Sequence, residues 1–102
     1  MMRISVLGAG SWGTAVAAAL ARKPQAQAVL WARDAQSVQA MAQTRRNERY
    51  LPGIELPSAL ALSADFAAAA QADLCVIATP VAGLRETAQR LAVHTPRAVA
   101  WL

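Results

Sequence analysis

The run Arg3-Ile4-Ser5-Val6-Leu7 is closed at once by Gly8, and glycine returns at positions 10 and 13 before an alanine-rich stretch free of breakers. A short apolar run rich in β-formers and bounded by glycine reads as a buried strand. Gly13 to Arg22 (GTAVAAALAR) reads as a helix that ends before Pro24. A strand that passes into a helix through so short a turn is the opening unit of an α/β fold. The rest of the chain is constrained by it.

The alternation continues. Ala28–Ala32 (AVLWA) reads as a second strand, and Asp34 can cap a helix running to about Thr44 with Val38 and Met41 on its inner face. From Arg45 to Pro57 the pattern breaks: Asn47, Pro52, Gly53 and Pro57 predict a loop longer than most connections within a domain, and such loops are more often functional than accidental. A third strand over Ala59–Leu62 and a small helix from Asp65 to Gln71, with Ser63 as its N-cap, come next. The fourth strand, Asp73 to Ala78, is nearly all apolar and is stopped by Thr79-Pro80; a continuous apolar run implies burial on both faces, as in a helix-covered parallel sheet. Gly83–Val93 reads as an amphipathic helix with Leu84, Ala88, Leu91 and Ala92 inward, and a fifth strand begins within Arg97–Leu102. With short connections and right-handed crossovers, this order gives a doubly wound parallel sheet. The chain stops inside its last strand, which predicts the front part, residues 1–102, of a longer protein.

Composition narrows the function classes. A chain of 102 residues with 56% hydrophobic content is one domain's worth at most and is not a disordered tail. The single cysteine excludes an internal disulfide framework and a multi-cysteine zinc site. Ten basic residues against six acids give +4, yet nine of the ten are Arg, most stand far apart, and only Arg45, Arg46 and Arg49 cluster, around Glu48. That distribution predicts a mildly basic surface rather than a nucleic-acid partner, and it suits a small phosphate-bearing ligand. The amino-terminal apolar stretch is interrupted by Gly8, Gly10, Ser11, Gly13 and Thr14, so it reads as strand–turn–helix and not as a signal peptide. No uninterrupted apolar run is long enough for a membrane span, and a cytoplasmic protein is expected.

The turn Gly8-Ala9-Gly10-Ser11-Trp12-Gly13 carries the chemistry. Gly8 permits the tight turn, Gly10 lets a pyrophosphate approach the backbone, and Gly13 lets the helix pack close to the strand. The helix N-terminus then offers free N–H groups and the positive end of its dipole to phosphate. In this strand–turn–helix setting the pattern predicts a Rossmann-type dinucleotide-binding fold. An acid about 20 residues on holds the ribose 2′-hydroxyl of NAD, whereas an arginine there accommodates the 2′-phosphate of NADP. Arg33 and Asp34 both stand at that distance from Gly13. With Asp34 assigned to the helix cap, Arg33 inclines the reading towards NADPH, with NAD as the other choice.

Three stretches taken together carry a family resemblance: Gly8 through Ala15, the strand end Leu30-Trp31-Ala32-Arg33-Asp34, and Asn47 through Tyr50-Leu51-Pro52-Gly53 to Leu56-Pro57. With Ala78-Thr79-Pro80, they resemble the bacterial NAD(P)-dependent glycerol-3-phosphate dehydrogenases over essentially the whole chain. The resemblance implies reduction of dihydroxyacetone phosphate to sn-glycerol 3-phosphate by hydride transfer from NAD(P)H, feeding glycerophospholipid synthesis in a cytoplasmic, usually homodimeric, enzyme. It implies that Ser11 and Trp12 contact the cofactor, Ser11 towards phosphate, that Arg33 serves its adenosine end, that Tyr50 lies near it and that Pro80 borders the nicotinamide side. The residues also admit plainer readings: Ser11 as a helix N-terminal hydroxyl, Trp12 as a lid on a small core, Arg33 as a surface cation and Tyr50 as an anchor that pins the long loop.

Members of that family continue past the fifth strand to a lysine and then to a helical substrate domain with a second essential lysine; neither lies in these 102 residues. Lys23 sits at the far end of the first helix, His94 precedes Thr95-Pro96 in a connecting turn, and Cys75 lies within a buried strand, so no catalytic residue is placed in this chain and no metal site is expected. By this reading the chain is the cofactor-binding part of an oxidoreductase, inactive alone, whose small phosphorylated substrate is held elsewhere. The alternatives are a stand-alone dinucleotide-binding module and another dehydrogenase with the same front end.

Overall fold

A computed structural model describes residues 2–94 and 96–101. Its elements follow in the order β1 (Met2–Leu7), α1 (Ser11–Ala21), β2 (Ala26–Trp31), α2 (Ala35–Thr44), β3 (Arg46–Asn47), β4 (Leu51–Glu55), β5 (Ala61–Ser63), α3 (Phe66–Ala69), β6 (Leu74–Ile77), α4 (Val81–Ala92) and β7 (Val99–Trp101). Five strands form one sheet in the order β5-β2-β1-β6-β7, every pair parallel. The chain starts in the middle at β1, steps outward through β2 and β5, then returns to the other side of β1 at β6. That reversal creates a crevice beyond the carboxyl ends of β1 and β6, the place where open α/β sheets bind ligands.

The sheet is covered on both faces because side chains alternate along each strand. Ile4 and Val6 of β1 join Leu30, Val76 and the small residues Ala17, Ala18 and Ala21 of α1, with Met41 of α2, in one core. Leu7 points the other way, into a second core with Trp31, Phe66, Cys75, Ile77 and Leu91, covered by α3 and α4. The Trp31 and Phe66 rings meet edge to face at 5.0 Å, and the Arg90 guanidinium lies 4.3 Å from the Phe66 centroid. This is the doubly wound, Rossmann-type arrangement that the alternation predicts.

Local differences are instructive. The expected loop at 45–57 contains an antiparallel ribbon, β3–β4, with an irregular register at Arg46/Asn47. The third strand begins at Ala61 rather than Ala59, and Asp65, not Ser63, caps α3: the Asp65 carboxylate accepts from the Ala68 N–H, while Ser63 Oγ accepts from the Asp65 N–H one step earlier. On α4, Leu91 and Thr87 are buried and Leu84 is half-buried, whereas Ala88 and Ala92 are exposed. The inward stripe therefore runs 84, 87, 91, the i, i+3, i+7 spacing of a single helical face. Leu102, expected in the last strand, and Thr95, expected in the turn before it, lie outside the described residues.

Candidate functional site

α1 begins at Ser11, so Gly13 lies inside its first turn rather than ahead of it. A Cβ on Gly13 would overlap the Gly8 carbonyl oxygen, which makes glycine obligatory wherever helix and turn approach this closely. Gly8 itself has φ +126°, and a Cβ there would stand 3.0 Å from the Ala78 carbonyl group of the neighbouring strand end. Gly10 is different: its backbone is extended, and a Cβ would meet nothing within 4 Å. Open space at that position, on the N-cap of a helix with no side-chain cap, is room in front of unpartnered helix N–H groups.

The room is part of a cleft of about 1460 Å³. Its lining includes Gly8, Gly10, Ser11 and Trp12 from the turn, Arg33 beyond β2, Tyr50 from the hairpin and Pro80 at the start of α4. Seven of the eight expected residues thus share one wall system, and the eighth, Gly13, is buried behind it. Its volume exceeds the roughly 300–1,000 Å³ usual for drug-sized ligands, so an extended ligand has room in it. By topology, the cleft passes from the end of β2 over the β1 turn to the end of β6.

Each side chain has a definite setting. Trp12 is 76% exposed, so it is not the lid of a core; its indole stands free at the cleft. The Ser11 hydroxyl donates to the Tyr50 carbonyl at 2.6 Å. The Tyr50 ring is exposed, with the Arg49 guanidinium 5.2 Å from its centroid, so it is the backbone of Tyr50 and not its ring that anchors the hairpin here. Arg33 reaches Glu86 of α4 at 3.5 Å, both largely solvated, which joins the two sides of the cleft. Asp34 caps α2, accepting from the Gln36 N–H and the Ser37 hydroxyl, and is thereby occupied.

Charge alone does not make this cleft an anion site, because Arg33, Arg46 and Arg49 on its lining are matched by Asp34, Glu48 and Glu86. Local donors must supply the attraction, and the open start of α1 is the local source. Among the described residues, two buried polar atoms on the cleft lining, Trp31 Nε1 and Thr79 Oγ1, have no hydrogen-bond partner. Neither residue was expected at the site, although Thr79 belongs to the Ala78-Thr79-Pro80 run that shares in the family resemblance; Glu86, also on the lining, carries no sequence signal beyond its place on a helix.

Other reactive groups stand apart. Cys75 is buried in β6, and desolvation raises its thiol above the ordinary value, which suppresses the nucleophilic thiolate. His94, in the turn after α4, lies 5.8 Å from the Phe66 ring, and Lys23 is exposed past the end of α1. None of these three lines the cleft.

Comparison with known proteins identifies the family to which this fold belongs. Residues 3–102 match the family model described as NAD-dependent glycerol-3-phosphate dehydrogenase N-terminus. Over 96 residues, 93% of this chain, it is 54% identical to a glycerol-3-phosphate dehydrogenase (NAD(P)+) of Aromatoleum aromaticum, and over 99% of the chain it is 48% identical to that of Paracidovorax citrulli. The crystal structure of glycerol-3-phosphate dehydrogenase from Coxiella burnetii superimposes with a TM-score of 0.87 at 34% identity, covering 98% of this chain and 31% of that one. The chain spans 29% and 31% of the lengths of the two relatives named first. No helix among the described residues is long and apolar enough to cross a membrane. Sequence and fold together make this chain a member of the NAD-dependent glycerol-3-phosphate dehydrogenase N-terminal family.

Proposed function

We propose that the chain is the cofactor-binding part of a cytoplasmic, homodimeric oxidoreductase that reduces dihydroxyacetone phosphate to sn-glycerol 3-phosphate and supplies glycerophospholipid synthesis. The observation that carries the cofactor site is the open space at Gly10 in front of the uncapped start of α1, set at the switch point of the sheet. NAD(P)H, when bound, supplies the hydride; everything else this chain contributes is binding and orientation. Gly8, Gly10 and Gly13 shape a turn that a pyrophosphate can approach, and the first N–H groups of α1 hold its charge. Trp12 offers an exposed indole face, Tyr50 borders the hairpin side, and Pro80 stands on the side of β6 that we assign to the nicotinamide. Arg33 serves the adenosine end, where its permanent charge favours a 2′-phosphate over a bare hydroxyl. The Glu86 carboxylate competes for Arg33, so the preference for NADPH is modest. We assign none of these residues the protonation of the substrate carbonyl oxygen, and leave that step and the hold on the phosphorylated substrate to groups beyond the cofactor-binding part.

Calorimetric titration with NADPH and with NADH at low salt tests this reading. Wild-type protein is expected to bind both, NADPH more tightly, with Arg33→Ala removing the difference. Gly10→Ala should weaken both cofactors at least about tenfold, because a methyl group enters the pyrophosphate space, while changing stability by no more than about 1 kcal/mol. No binding by folded wild-type protein, or full binding by folded Gly10→Ala, would sink the assignment.

A further inference from the structure

Asn47 lies in β3 with only 7% of its surface exposed. Its side-chain nitrogen donates to the Ala9 carbonyl at 2.9 Å and to Thr14 Oγ1 at 2.8 Å. The carbonyl partner determines which end of the amide faces the turn, since only the NH₂ group can donate to it. The two acceptors belong to the two halves of the cofactor turn: Ala9 stands between Gly8 and Gly10, and Thr14 is fully buried in the first turn of α1. A trans peptide sets the Gly10 N–H antiparallel to the Ala9 carbonyl, so holding one atom orients the other. Gly10 has open space and no side-chain contact to do this itself.

We propose that Asn47 is a positioning residue for the pyrophosphate-binding turn. From the hairpin, it holds the Ala9–Gly10 peptide and the first turn of α1 in the orientation that a dinucleotide meets. The hairpin is thereby a brace for the turn as well as a wall of the cleft. The inference rests on the reading of the cleft as a dinucleotide site, and it assigns Asn47 no contact with the cofactor.

The test compares two ligands in the intact protein: NADPH, which carries a pyrophosphate, and 2′-AMP, which presents the adenosine and 2′-phosphate end without one. Asn47→Ala should lower affinity for NADPH about tenfold and change affinity for 2′-AMP less than about twofold. Thr14→Val, which keeps the side-chain shape and removes one acceptor, should lose about threefold for NADPH alone, and Thr14→Ser should restore it. Equal losses for both ligands would mean that Asn47 only supports the fold and would overturn the proposal, as would unchanged NADPH binding by folded Asn47→Ala. Should Asn47→Ala not fold, the Thr14 pair decides by the same comparison of ligands. Wild-type protein that fails to bind NADPH overturns the dinucleotide reading and this inference together; wild-type binding with unaffected variants overturns the inference alone.

Discussion

In the glycine turn, position is held by the absence of side chains: Gly13 admits no Cβ because the Gly8 carbonyl occupies that space, and Gly8 takes a φ of +126° against the end of β6. In the β3–β4 hairpin, on another wall of the same cleft, position is held by side chains. Arg45 enters it in the left-handed region, at φ 56°, and its guanidinium donates to the carbonyls of Pro57 and, at 2.9 Å, of Leu60. Asn47 and the Ser11 hydroxyl then tie it to the turn. Steric exclusion acts over a fraction of an ångström, between Gly13 and Gly8 within the turn and between Gly8 and Ala78 across to β6, whereas the hairpin depends on several hydrogen bonds that can be lost one at a time. The turn should therefore fail abruptly on a single methyl group, and the hairpin should loosen by degrees.

Gly13→Ala is the sharpest way to test that contrast. Backbone must move to admit the methyl group, so we expect a loss of about 3 kcal/mol or more in denaturant unfolding, together with loss of cofactor binding. Near-native stability would show that the turn is less tight than its geometry. The hairpin gives a graded result: Arg45→Ala should cost about 1–3 kcal/mol by leaving two carbonyls without their donor. Arg45→Gly removes the same donor but suits the left-handed backbone, so it should be less damaging than Arg45→Ala by about 1 kcal/mol. If the two variants unfold alike, strain at residue 45 contributes nothing. Trp12→Ala should lie at the small end, within about 0.5 kcal/mol of wild type in thermal or denaturant melts, because the indole is exposed. Its effect is expected in NADPH affinity instead; a large drop in stability would mean that Trp12 does pack in solution.

The strands and helices were legible because their signals are local. The β-rich run before Gly8, the alanine-rich run after it and the apolar run Leu74–Ile77 each state their own period. The hairpin was not legible, since a strand of two residues has no period and Pro52 argues against a central strand, whereas β4 is an edge strand of a two-stranded ribbon, where proline is tolerated. On α4 hydropathy favours Ala88 and Ala92 over Thr87 for the inner face, yet both alanines are exposed and Thr87 is buried: Leu84 and Leu91 set the stripe, a single methyl group buries too little surface to shift it, and Thr87 lies between them. Among cleft residues, Gly8, Gly10, Ser11, Trp12 and Arg33 stand at spacings that a glycine turn and a strand end dictate. Thr79 and Glu86 reach the cleft only because β6 and α4 fold back beside β1.

The sequence by itself determined the alternation of elements and the turn that glycine makes between β1 and α1. The alternation follows from periodicity, and the need for glycine at 8 and 13 from the backbone conformation of Gly8 and its closeness to Gly13, all among residues within a few positions of each other; the further clash of a Gly8 Cβ with Ala78 arises only in the folded sheet. The tertiary structure decided which distant residues meet at the cleft: Asn47 meets Ala9 and Thr14 of the turn from 38 and 33 residues away, and Arg33 meets Glu86 across 53. A hydrogen bond of that reach has no signature in spacing, because its partners become neighbours only after the sheet has brought its strand ends together.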